Sequence, residues 1–149
     1  MNKLIAVCMV VLGFGCWASA SFADPGRSAS EQCYVWANDA GHAIGAAYSP
    51  NAIYSFNAVG RAAANFVTHT GTGLYTVTCK GVGGGSLFGG SGTWGAGGHV
   101  QVTAYGSEDA DYCKISSWAT GGADFTAFVR CYNHQGVLSD NRFDLLFVW

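Results

Sequence analysis

The chain has 149 residues, 50% of them hydrophobic and 11% charged, with a formal net charge of −2 at neutral pH. This balance excludes a disordered chain, and it supplies no basic footprint for nucleic acid or an anionic membrane surface. With 22 Gly, only 2 Pro and no glycine at every third position, collagen and Pro-rich linkers are excluded as well.

The first residues read as a secretory signal peptide over 1–23. Lys3 supplies the charge, 4–15 the apolar run, and Ala18, Ser19, Ala20, Ser21 and Ala23 the small residues of a cleavage site. Cleavage after Ala20 or Ala23 satisfies the small-x-small rule, and the second is favoured because Asp24-Pro25 opens a polar stretch. An uncleaved anchor needs a longer apolar run. Lipidation at Cys16 would need a Leu three positions ahead, where Gly13 stands. The expectation is a single secreted or periplasmic domain over 24–149. Leader removal takes Cys8 and Cys16 and leaves Cys33, Cys79, Cys113 and Cys131. An even count in an oxidising compartment implies two disulfides. No Cys-x-x-Cys pair exists for zinc.

Residues 24–32 are polar and are expected to fray. CYVWA (33–37) is a short strand candidate, 38–41 a turn, and YSFN (54–57), which alternates aromatic and polar residues, a second short strand candidate. Residues 58–64 are helical by alanine content, a reading that Gly60 weakens. NFVTHT (65–70) and LYTVTC (74–79) flank Gly71-Thr72-Gly73 and predict a β-hairpin with Val67, Tyr75 and Val77 in the core. Ten of the residues in 81–98 are glycine, too costly in backbone entropy for a rigid element, so a long loop is expected. A phosphate-binding loop is rejected, since no Gly-Lys-Ser/Thr follows.

Four strands follow: HVQVTAY (99–105), YCKISSW (112–118), FTAFVRCY (125–132) and RFDLLFVW (142–149). Val100, Val102 and Ala104 share a face, as do Phe143, Leu145, Phe147 and Trp149, and both sets are core candidates. Leu146 and Val148 on the opposite face predict a central strand covered on both sides, or one that ends in a dimer contact. The fold expected is all-β: an antiparallel β-sandwich or jelly-roll-like domain of seven or eight strands with a long Gly-rich loop. A flattened barrel is the alternative closure.

A hairpin of 112–118 with 125–132, its tip near Gly122, sets Cys113 opposite Cys131 and Trp118 opposite Thr126. Directly opposed Cα atoms are about 4.5 to 5.5 Å apart, within a disulfide's reach. This pairs Cys113 with Cys131 and leaves Cys33 for Cys79.

Catalytic chemistry is sparse. His42, His69, His99 and His134 show no metal-pair spacing, and no Gly-x-Ser-x-Gly exists. Glu108, Asp109 and Asp111 read as a solvated acidic turn, with calcium as the alternative. Asp140, Arg142, Asp144 and Arg130 read as ion-pairing groups that hold the last connection. Trp94, Trp118, Trp36 and Tyr132 have faces suited to sugar rings, and Trp94, Trp118 and Tyr132 are the ligand-binding candidates. The expectation is an exported, non-enzymatic binding or surface-interaction module without metal or cofactor, its partner a carbohydrate or a cell-envelope protein. The alternatives are a structural, oligomer-forming envelope protein and a small hydrolase using an acid pair from Glu108, Asp109, Asp111 and Asp140.

The blocks GTGLYTVTCKG (71–81), GGHVQVTAYG (97–106), CKISSW (113–118), VRCYNHQG (129–136) and SDNRF (139–143), in this order, resemble a recurrent pattern in exported bacterial proteins with no assigned activity. The resemblance spans 54–149 and implies a β-rich extracellular domain in which the cysteines at Cys113 and Cys131 recur. It implies no catalytic residues. The 81–98 segment departs from the pattern in being longer than the usual loop.

Overall fold

The computed structural model describes residues 32–60, 65–83, 98–106, 110–120 and 123–148. The expected signal peptide at 1–23, Trp94 with most of the Gly-rich segment, Glu108, Asp109 and Trp149 lie outside the described residues.

The described chain is all-β: β1 (Gln32–Ala37), β2 (Ala47–Tyr48), β3 (Phe56–Asn57), β4 (Asn65–Gly71), β5 (Leu74–Cys79), β6 (His99–Tyr105), β7 (Tyr112–Ala119), β8 (Phe125–Tyr132) and β9 (Arg142–Val148). They form two antiparallel sheets, a four-stranded one in the order β3-β1-β9-β6 and a five-stranded one in the order β2-β4-β5-β8-β7. Nine strands stand against about seven or eight expected: β3 falls within the short strand read from alternation at 54–57, and the strand not read is β2, a two-residue piece recruited as an edge by β4. A piece that short has no periodicity of its own to read. Residues 58–60 form a turn after β3, where alanine content suggested a helix.

The core lies between the sheets. Cys33, Val35 and Ala37 of β1 and Phe143, Leu145 and Phe147 of β9 face Val67, Tyr75, Val77, Cys79, Phe125, Ala127, Val129 and Cys131 of the other sheet, all buried. The Phe125 and Phe147 rings stack across the layer with centroids 4.0 Å apart, and Tyr75 meets Phe143 edge-on at 5.2 Å. β9 is central, as expected, but its second face is not covered: Leu146 and Val148 are 37% and 38% exposed.

Both predicted disulfides are present. Cys113 and Cys131 are directly opposed on β7 and β8 with Cα atoms 4.0 Å apart. Cys33–Cys79 joins β1 of one sheet to β5 of the other, with a Cα separation of 6.4 Å. The predicted register breaks past Ile115, where a bulge inserts one residue into β7, so that Trp118 pairs with Ala127 and Ala119 with Thr126. Cα partners share a face, so the bulge turns Trp118 toward the side of the sheet that carries buried Ala127.

The predicted β4–β5 hairpin turns at Thr72-Gly73, where Gly73 has φ +66°. A Cβ there would meet the Cys131 carbonyl at 2.5 Å and the Ser139 amide at 2.8 Å. The turn is tied to the segment before β9: Asp140 Oδ1 accepts from the Gly73 amide at 2.6 Å, from His69 Nε2 at 2.9 Å and from the Tyr75 hydroxyl at 3.5 Å. His69 Nδ1 donates to the His42 carbonyl at 2.6 Å, and its ring stacks on Tyr75. The ion pair at this connection is thus Asp140 with a buried histidine; the arginines expected there are elsewhere, Arg142 lying over the Tyr105 ring. Both His69 nitrogens face acceptors, an arrangement that favours the protonated ring. Burial alone pushes its pKa down. The His42 carbonyl, the charge and hydrogen bond of Asp140, and the Gly71 backbone outweigh burial and raise it above the usual 6.5.

Two predictions follow from this packing. Replacing Cys33 and Cys79 together by Ser lowers stability by about 4 kcal/mol, against about 3 for the Cys113/Cys131 pair, because the first closes the longer loop; urea titration measures the difference. A raised histidine pKa gives stability that is complete below the unfolded value near 6.5 and is lost as pH rises through the folded value. Thermal melting scanned from about pH 6 upward should therefore show a decline that His69→Gln flattens.

Candidate functional site

The outer face of the four-stranded sheet carries a concavity. On β1 the pleat that buries Cys33, Val35 and Ala37 turns Tyr34 and Trp36 outward. Asp144 of β9 is the direct cross-strand partner of Trp36 and projects from the same face. The segment from 49 to 58 folds over β1 and supplies Ile53, Tyr54 and Phe56. Together they wall a groove of about 910 Å³.

Two anchors hold this wall. The Ser55 hydroxyl accepts from the Trp36 amide at 3.2 Å. Buried Asn65 of β4 donates to the Tyr34 carbonyl at 3.1 Å and the Phe56 carbonyl at 3.0 Å, and accepts from Asn57 Nδ2 at 3.0 Å. One amide side chain from the opposite sheet therefore fixes both β1 and β3 at the groove.

The groove is aromatic. Trp36 meets Tyr54, tilted with centroids 4.7 Å apart, and Tyr105 of β6, stacked at 6.3 Å, and Arg142 lies over the Tyr105 ring at 5.5 Å. The open end is exposed: Ile53 81%, Tyr54 54% and Phe56 51%. Large apolar side chains in water, gathered at one concavity, make this groove the candidate site.

Asp144 is the charged residue among the described groove-lining residues. Burial, then the hydrogen bond to the Asp144 side chain and its charge, push the Tyr34 hydroxyl up to about 12, so it stays protonated and donates. Burial and the Asp144 charge also raise Tyr105. Asp144 Oδ1 and the Tyr105 hydroxyl are withdrawn from water and have no hydrogen-bond partner.

The sequence-derived candidates are placed differently. Tyr132 is on the five-stranded sheet, stacked on Tyr112 with centroids 5.1 Å apart, and Lys114 lies 5.0 Å over its ring. Trp118, 37% exposed, is turned by the β7 bulge to the opposite face of that sheet. The two do not form one platform, and Trp94 lies outside the described residues. Trp36, named for its ring, lines the groove. Tyr34, Tyr54 and Phe56 were not singled out as ligand residues, and Asp144 was read as an ion-pairing group. The signal that could have found them is the alternation in CYVWA, two aromatics on one face of a strand whose other face carries a disulfide.

Of the acidic candidates, Asp111 accepts from Asn141 Nδ2 at 2.7 Å and Asp140 belongs to the His69 clasp. Among the described residues no three His, Cys, Asp or Glu side chains group as metal ligands, and no helix is long and apolar enough to cross a membrane.

Asn65→Ala should cost roughly 2 kcal/mol, since it strands the Tyr34 and Phe56 carbonyls; denaturant melts of the variant against the parent chain measure this. Comparison of the chain with models of protein families, with curated proteins and with solved structures finds no match.

Proposed function

We propose that this domain is an exported, non-enzymatic binding module that seats a carbohydrate chain of the cell envelope or its surroundings in the Trp36 groove. One observation carries the reading: a preformed concavity walled by Tyr34, Trp36, Tyr54 and Phe56 with a carboxylate on its floor. Aromatic faces match the apolar faces of pyranose rings, and polar floor groups orient a ligand's hydroxyls. The two disulfides fit an oxidising extracellular environment, which is where such a ligand is met.

A structural, oligomer-forming role is the second reading. Leu146 and Val148, exposed on the same sheet face, favour it. Sedimentation velocity separates the two, since a strict monomer at high concentration removes the assembly reading.

The experiment is a screen of the exported chain, disulfides formed, against immobilised glycans and envelope polysaccharides. A saturable hit that weakens about tenfold or more in Trp36→Ala and Tyr54→Ala, and persists in Trp118→Ala, is the expected outcome; tenfold corresponds to about 1.4 kcal/mol. A hit that ignores Trp36 and Tyr54 but depends on Trp118 or Tyr132 moves the site to the other sheet. No hit from folded protein ends the carbohydrate reading.

A further inference from the structure

We infer that the groove selects a ligand carrying a positively charged amine, in chemical terms a glycan of amino sugars whose amines are free and protonated. This rests on the groove being the glycan seat.

The argument starts from charge. Asp144 is the charged side chain among the described groove-lining residues, and no described lysine or arginine lines the groove to neutralise it. Arg142, two positions away on the same face, is drawn off over the Tyr105 ring. Tyr34 donates to Asp144, but Oδ1 has no partner within the described protein. Oδ1 is closed to solvent, so the carboxylate acts on the groove through its charge, which no described cation lining the groove offsets and which favours a cationic ligand over a neutral one.

The walls point the same way. Tyr34, Trp36, Tyr54 and Phe56 present π-faces, whose negative potential attracts cations and is indifferent to neutral hydroxyls. The chain already uses this attraction twice, with Arg142 over Tyr105 and Lys114 over Tyr132. At the open end of the Trp36 groove no described protein cation lines the walls. A sugar ring with an ammonium substituent meets both demands together, its apolar face on the aromatics and its amine in the field of the Asp144 carboxylate. The net charge of −2 adds long-range attraction of the same sign.

The test is calorimetric titration of the exported chain with three hexamers: glucosamine, N-acetylglucosamine and cellohexaose. The glucosamine hexamer should bind at least tenfold more tightly than the other two while its amines are protonated. That preference should vanish when the amines are neutralised by raising pH, shrink in high salt, and fall to parity in Asp144→Asn. Equal affinity for all three hexamers overturns the inference and leaves the groove as a neutral glycan seat. A preference unchanged in Asp144→Asn also overturns it. No binding of any hexamer to folded protein overturns both the inference and the reading beneath it. Should Asp144→Asn fail to fold, the salt and pH dependence of the parent chain still decides: a preference insensitive to both is not electrostatic.

Discussion

The strand β1 is the constraint on which both halves of this molecule depend. Its inward residues close the core, with Cys33 bonded to Cys79 of the opposite sheet and Val35 and Ala37 packed beside it. Its outward residues, Tyr34 and Trp36, make the back wall of the groove. Because side chains alternate at period two, one cannot be moved without the other: a one-residue slip would send the aromatics into the core and the cysteine to the surface. The disulfide therefore fixes more than stability. By holding β1 in register against β9, where Cys33 faces Phe147 and Trp36 faces Asp144, it sets the distance between aromatic wall and carboxylate.

The same logic explains the buried polar groups. Asn65 and His69 stand at opposite ends of β4, each buried and each bonded to segments outside its own sheet. Asn65 reaches β1 and β3 at the groove; His69 reaches the 42–45 turn and Asp140 before β9. Buried polar side chains are costly unless satisfied, and these two are satisfied fully. Asp144 Oδ1 and the Tyr105 hydroxyl contrast with them, since among the described residues neither has a partner. Leaving a carboxylate oxygen unpaired beside the aromatic groove carries a cost on the order of 1–3 kcal/mol and keeps its negative charge uncompensated there.

Much of the architecture was legible because it depends on local alternation. The hairpin at 65–79, the four C-terminal strands and the Cys113–Cys131 pairing all follow from period-two patterns and turn chemistry between neighbours in sequence. The register past Ile115 was not, because a bulge is one extra residue with no signature in YCKISSW, and it carried Trp118 to the other face of the sheet. The edge strand β2 was hidden by its length, whereas β3 was legible in the alternation at 54–57. Asp140 and Asp144 were misread for a different reason. Their partners, His69, Gly73 and Tyr75 for one and Tyr34 for the other, lie between 65 and 110 residues away in sequence, and no local pattern distinguishes an aspartate that meets an arginine from one that meets a histidine or a phenol.

The two outer faces of the sandwich both carry aromatics, and the comparison between them argues for the Trp36 side. On the five-stranded sheet Tyr112 and Tyr132 stack on one another, and Lys114 covers the Tyr132 face. They are a pair of cross-strand neighbours that helps hold edge strand β7 to β8, and Tyr112 and Phe128 stay exposed on that sheet. On the four-stranded sheet the row Tyr54–Trp36–Tyr105 is capped by Arg142 at one end alone, and its other end opens at Tyr54 and Phe56 beside an overhanging segment. The four-stranded sheet differs in gathering its exposed aromatics at one concavity, anchored from behind by Asn65 and Ser55. Rigid support behind an unfilled wall is what distinguishes a seat for a ligand from a patch that merely stiffens a sheet.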